Sequence, residues 1–344
     1  MKDFKNKPGV KIKHTNMTYV IYAILAIVMW IIGGWNTDNG DFSNYEQMYE
    51  NDFLAMTLST TPDYGFFLIL ELFKSFGFTL IQARIVIFFI FVLTLSYTIF
   101  KLCRKPVLAL FLYFIVFYFR DVITLRNTVA MVFLLIGIVN LMQENIKYRK
   151  LKYTALVLLA SSIHITFLFY LILLLKDVKI NVKLYAIGAI ILSFLGKPIL
   201  EMLSSYLVAD ENGQTQAKIE GLLSSGSYVS LVICSITILL SVYMCMQSYK
   251  YLQEREGSMI SFDVYKINVL MISLIILTSV SMSFIRLFYN VLLFDIIIMS
   301  NVISFKKKMD PVMLFWFIWI YLWAFWMSNV SVNFTKILSN NSLL

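Results

Sequence analysis

Three basic side chains, Arg126, His164 and Arg286, lie in or at the edge of long apolar runs, and two carboxylates, Asp41 and Asp63, stand in an acidic stretch of the same chain. A guanidinium stays charged and grips a phosphate or pyrophosphate through two parallel N–H bonds. A carboxylate or a neutral imidazole within bonding distance takes the proton of an attacking hydroxyl. Tyrosines accompany both sets: Tyr45 and Tyr49 follow Asp41 at four-residue spacing, Tyr64 follows Asp63, and Tyr289 lies three residues after Arg286. Their rings offer flat, amphipathic stacking faces. A cation near hydrocarbon costs about 2.5–3.5 kcal/mol on insertion scales, so a retained one holds an anion or a neighbouring helix.

The elements that must position these groups are set by composition. Hydrophobic residues make up 60% of the 344 and charged residues 14%, with a mean hydropathy of +0.78, which describes a chain whose solvent is lipid. At about 20 residues per span, the recurring apolar runs accommodate about 9–11 transmembrane or re-entrant helices. The expected fold is all-α and polytopic. The net charge of +9 collects in short loops, where it sets orientation, so nucleic acid is not an expected partner. Cys103, Cys234 and Cys245 fall in or beside apolar runs without metal spacing and read as small hydrophobes. Neither a metal nor a cofactor is expected.

Loop charges order the spans. Lys2, Lys5, Lys7, Lys11 and Lys13 form a basic leader, residues 1–16, that places the N-terminus in the cytoplasm ahead of a first span, Tyr19–Gly34. Asn36–Asp63 carries six carboxylates and no Lys or Arg, as an external loop does. Gly65–Phe78 is too short and too charged to span and is expected at the outer interface. Leu80–Phe100 crosses inward to Lys101, Arg104 and Lys105; Val107–Phe119 returns outward to Arg120, Asp121 and Arg126; Thr128–Met142 crosses back to Lys147–Lys152.

The next stretch breaks the alternation. A plain span over Tyr153–Leu175 would put Lys176, Lys179 and Lys183 outside and give every later loop the wrong sign. A break near Ser161, Ser162 and His164, with two half-helices returning to the cytoplasm, restores it; a re-entrant Lys183–Leu200 is the alternative. Either leaves residues 201–227 outside and Lys250–Lys266 inside. Ile267–Ser304 would reach about 57 Å as one helix against a core of about 30 Å, so it must be two spans joined by a turn at Ser281, Ser283 and Arg286. The body, residues 17–330, reads as one membrane domain with external loops at about 36–64 and 201–227, followed by a short polar tail, 331–344.

On these residues the chain resembles the EpsG family of Wzy-type polysaccharide polymerases. The likeness rests on Asp41 with Tyr45 and Tyr49; on Asp63, Tyr64, Gly65 and Phe66; on Leu125, Arg126 and Asn127 opening a span; on His164 with Thr166; and on Arg286 with Tyr289. Asn127 and Thr166 stand where the family often has Gln and Ser. The resemblance implies a glycosyltransferase working at the outer face of the cytoplasmic membrane. It would join oligosaccharide repeat units carried on polyprenyl pyrophosphate into a capsular or exopolysaccharide, the growing chain passing to a sugar hydroxyl of the incoming unit. In that chemistry Arg126 and Arg286 would bind pyrophosphate, Asp41, Asp63 or His164 would take the hydroxyl proton, and Tyr45, Tyr49, Tyr64 and Tyr289 would line the substrate site. The implied partners are the two lipid-linked substrates and the bilayer, with a flippase and a chain-length regulator beside them.

Each residue has an ordinary reading as well. Arg126 can snorkel at a helix end, Arg286 can cap a hairpin, His164 can satisfy a helix break, Asp41 can be a solvated loop acid, Asp63 a helix cap, and Tyr45 and Tyr49 interfacial aromatics. Rival functions are a lipid-linked oligosaccharide flippase, a glycan ligase using the same donor, and a scaffold of a polysaccharide-export complex. A flippase should show internal repeats, and none is visible.

Overall fold

The computed structural model describes residues 15–50, 63–207, 228–256, 259–306, 310–327 and 336–343. Nearly all of the basic leader, half of the acidic loop, most of the loop 201–227 and the start of the polar tail lie outside the described residues. What is described is helical, with one isolated bridge between Asn36 and Asn341. Among the described residues, seven helices are long and apolar enough to cross a membrane: Asn16–Gly34, Leu80–Leu102, Pro106–Ile123, Leu125–Met142, Leu231–Arg255, Ile260–Val280 and Ile285–Lys306. The chain is therefore all-α and polytopic, as composition requires.

It divides into two compact units, residues 1–171 with 296–344, and residues 172–295. In the first, α1 (Asn16–Gly34) starts at Thr15, whose hydroxyl accepts from the Thr18 N–H. After it come α2 (Phe42–Glu50) and α3 (Tyr64–Ser75). The reciprocal pair Thr79 and Gln82 caps α4 (Leu80–Leu102) and fixes where that span begins. Close approach of α1 to α4 depends on glycine. A Cβ on Gly33 would stand 2.4 Å from the Phe88 ring and from the Tyr118 hydroxyl. Pro106, in the first turn of α5 (Pro106–Tyr113), needs no N–H partner there. A π-helical turn, Phe114–Tyr118, joins α5 to α6 (Phe119–Ile123). Tyr118, at the end of that turn, donates its hydroxyl to the Met29 carbonyl of α1. Arg120 and Asp121 of α6 are buried among the helices.

The antiparallel pair α7 (Leu125–Met142) and α8 (Arg149–Ile163) leads into the break expected near Ser161–His164. His164 is extended, with φ −147° and ψ 104°, and a 3₁₀ helix follows at Ile165–Asp177. The Tyr153 hydroxyl donates to the Tyr170 carbonyl at 2.6 Å. A straight helix would hold those residues about 25 Å apart, so the chain reverses at His164. With 15 residues, α8 is about 22 Å long, short of a core of about 30 Å.

In the second unit are α9 (Val182–Leu207), α10 (Tyr228–Glu256), α11 (Met259–Met271) and α12 (Leu274–Val280). Lys176 pairs with the buried Asp263 at 2.7 Å, and Lys266 donates to the Val178 carbonyl at 2.9 Å. The return arm of the hairpin therefore ends beside the start of α11, as the sign of both basic loops demands. The long run from Ile267 breaks where expected: Ser281 is extended, and the 3₁₀ turn Met282–Phe284 leads into α13 (Ile285–Lys306). α13 leaves the second unit after Asp295 and enters the first, followed by α14 (Pro311–Met327).

Candidate functional site

Asp63 is the hinge of the site. It precedes α3 but makes no capping bond to it. Its carboxylate turns instead to two other elements: Oδ1 accepts from the Ile165 N–H at 2.9 Å and Oδ2 from Arg126 Nη1 at 2.9 Å. The first four N–H groups of a helix lack internal acceptors, and Ile165 opens the 3₁₀ arm just past the hairpin tip, so the acid pins that tip in place. Nδ1 of His164 lies 3.7 Å from the same Oδ2, too far for a hydrogen bond and a charge contact only when the imidazole carries a proton. Burial by itself raises the Asp63 carboxyl; His164, the Ile165 N–H and the Arg126 guanidinium outweigh it and hold the group below the ordinary carboxylate range. Asp63 is thus an anion at neutral pH with both oxygens engaged.

Gly65 lets α3 reach the tip. A Cβ there would lie 2.6 Å from Ser162 Oγ and 2.9 Å from the Ser162 carbonyl oxygen. The spacing Asp63, Tyr64, Gly65, Phe66 therefore has a mechanical meaning: the acid bonds the tip, the glycine admits it, and Phe66 packs edge-on against Tyr45 at 5.7 Å. Tyr64 between them is exposed.

Arg126 stands in the first turn of α7, where its own N–H has no helical acceptor, and the Tyr45 hydroxyl lies 3.5 Å away. Its side chain is 34% exposed, against 9% for Asp63, so the guanidinium keeps donors toward solvent. Tyr45 is buried; its phenol is raised by that burial, with Arg126 opposing and the charge of Asp41 adding to it. Asp41 is half-buried at the start of α2 and is held through its N–H by Asn39. Tyr49 points elsewhere and donates to the Phe78 carbonyl at 2.6 Å, tying α2 to the end of α3. The structure thus gathers Asp63, Arg126, His164 and Tyr45, with Asp41 and Tyr64 beside them. Arg286 and Tyr289 belong to the second unit, Arg286 exposed in the first turn of α13 and Tyr289 buried one turn on.

One residue escaped the reading from sequence. Arg84, fully buried in the second turn of α4, donates through Nη2 to the carbonyls of Gly33 at 3.0 Å and Val122 at 3.2 Å. Those carbonyls close α1 and α6, where the helix dipole favours a cation. Its guanidinium also faces the rings of Phe42, at 5.8 Å, and Phe88, at 5.3 Å, while Nε and Nη1 lack partners among the described residues. The signal was present: Arg84 is the only Lys, Arg, His, Asp or Glu between Thr79 and Lys101.

Its long apolar helices make this a multi-pass membrane protein, in which a guanidinium, an imidazole and a carboxylate meet at the tip of a chain reversal. The model of the EpsG family matches residues 19–342, nearly the whole chain, and the chain belongs to that family, a family of Wzy-like polymerases. It is a multi-pass membrane protein of polysaccharide biosynthesis. No curated protein and no solved structure showed significant similarity to it.

Proposed function

We propose that the protein joins polyprenyl-pyrophosphate-linked oligosaccharide repeat units into a capsular or exopolysaccharide at the outer face of the cytoplasmic membrane, with His164 as the base. The observation that carries this reading is the double engagement of Asp63. A carboxylate with both oxygens bonded, held below its ordinary pKa, is a poor proton acceptor but a good anchor. It orients Arg126 and the His164 tip and stabilises the imidazolium formed when His164 takes a proton. Asp41, beside Tyr45, is then an electrostatic neighbour rather than the base.

In the proposed step a hydroxyl oxygen of the incoming unit bonds to the anomeric carbon of the growing chain. The bond from that carbon to its pyrophosphate oxygen breaks, and the hydroxyl proton moves to His164. Negative charge collects on the departing pyrophosphate, where the free donors of Arg126 meet it. Arg286, exposed on its own unit, is proposed as a further phosphate ligand, with Tyr289 behind it; exposed Tyr64 supplies a stacking face for a sugar. Outward orientation of the site is supported by the loop charges, basic before α1 and acidic after it.

The test is His164→Gln, which keeps polar bulk but cannot accept the proton. In a strain carrying this variant at normal membrane levels, single lipid-linked repeats should accumulate outside and polymer should vanish. Polymer of normal length and amount would remove His164 from the role, and repeats trapped inside would favour a flippase.

A further inference from the structure

A cavity with a mostly apolar wall and two cations at its rim lies at the N-terminal end of α1. It has a volume of about 470 Å³ and is lined by Thr15 and Thr18, by Arg104 and Lys105, and by an apolar wall that includes Ile21 and Phe111. Gly33, near the other end of α1, meets Arg84 and the end of α6, so the cavity is about 25 Å along the helix from that level. It is not part of the Asp63 site. Among the described residues, no Asp or Glu stands in its lining.

The cations are built in. Arg104 is held through its main-chain N–H by Asn301 Oδ1 at 2.7 Å, and its guanidinium lies over the Phe305 ring at 4.7 Å. Lys105 is half-buried at the start of α5, where the N–H groups of Val107 and Leu108, also in the lining, have no helical acceptors. Thr15 and Thr18 hydroxyls bond to each other at 2.9 Å, a bond that uses one of their two protons and leaves the other for an acceptor. Ile21 and Phe111, by contrast, are 46% and 48% exposed, on the flanks of two spanning helices where lipid chains run.

We propose that this cavity is a site for an anionic phospholipid, whose phosphate lies among Arg104, Lys105 and the threonine hydroxyls and whose acyl chain follows Ile21 and Phe111. The chemistry separates this ligand from its competitors. Inorganic phosphate would meet the cations and leave the apolar wall bare, and a zwitterionic lipid would fill the wall but bring its own cation to Arg104 and Lys105. The assignment rests on no part of the polymerase reading.

The experiment uses the full-length protein in a neutral detergent, titrated with short-chain phosphatidylglycerol, with phosphatidylcholine of the same chain length, and with inorganic phosphate. Thermal stabilisation and lipid adducts in native mass spectrometry are the readouts. Phosphatidylglycerol should raise the melting temperature in a saturable way and the other two should not. Each cation near an anionic headgroup contributes about fivefold in affinity, so Lys105→Gln should weaken the response about fivefold. Leu108→Trp, which fills the cavity without touching charge, should abolish it. Equal stabilisation by phosphate alone would overturn the lipid assignment, and equal stabilisation by phosphatidylcholine would overturn the anionic one. Wild-type binding by both variants would overturn the site.

Discussion

Arg126 and Asp63 form a pair whose value depends on geometry more than on charge. The guanidinium bonds the acid through Nη1 and, in the proposed reaction, the pyrophosphate through its other donors. A lysine at 126 keeps the charge but has no planar fork to divide between two acceptors. Arg126→Lys should therefore lower polymer yield by at least tenfold at normal protein level, read by gel analysis of the polysaccharide; a residue serving only as an interfacial anchor would tolerate the exchange. Asp63 adds a pH dependence. Its folded pKa lies below its unfolded value, so its stabilising contribution is present above the ordinary carboxylate pKa and is lost as pH falls through the depressed one. The wild-type melting temperature should fall as pH drops below about 4, and Asp63→Asn should flatten that acid limb. Arg84 belongs at this scale too. Truncation to Ala leaves two helix-closing carbonyls without their donor and opens a cavity, a loss of about 3–5 kcal/mol, measurable as a thermal shift in detergent even where the protein still inserts.

Among the elements, the α8 hairpin carries the site because it stops short. A continuous helix would carry Ile165 and the residues after it onward; the reversal leaves His164 at the tip, and Gly65 is the clearance that lets α3 lock it. Gly65→Ala should cut polymer formation about tenfold or more, since the new Cβ meets the Ser162 carbonyl oxygen, main chain that cannot turn aside. Ser162→Ala in the same protein should restore little, because only the Oγ contact is relieved. Gly188→Ala is the control: nothing lies within 4 Å of its added Cβ, and polymer should be unchanged.

Across the whole molecule, the two ends of the first unit's sequence meet. Asn36 donates to the carbonyls of Ile337, at 3.3 Å, and Asn340, at 3.5 Å. Thr37 donates to Asn340 at 2.7 Å, and Asn340 donates to Asp38 at 3.3 Å. The polar tail thus straps the loop that leads to Asp41 and Tyr45, and it fixes a relative topology. Cysteines at Ser43 and Ser342, both exposed, should be modified by an impermeant thiol reagent from the same side, the outside, and one at Tyr148 should not. Labelling of Ser43 and Ser342 positions from opposite sides would contradict the strap.

The sequence by itself determined the helical membrane class and the approximate place of most spans, and it required one segment not to cross, near His164 or over Lys183–Leu200. Those follow from local quantities, namely hydropathy over about 20 residues and the sign of each loop. It also marked Arg126 and His164 as candidates, through the cost of charge near hydrocarbon, and Asp63, through the acidic loop and the family's motif. Only the tertiary structure decided that Asp63 binds the other two instead of capping α3, that Tyr49 ties α2 to the Phe78 carbonyl while Tyr45 meets Arg126, and that Arg84 closes α1 and α6. Those contacts join residues from 29 positions apart, for Tyr49 and Phe78, to about a hundred, for Asp63 and the hairpin tip. Which of several possible partners a buried polar group takes is set by where helices cross, and no local pattern encodes a crossing.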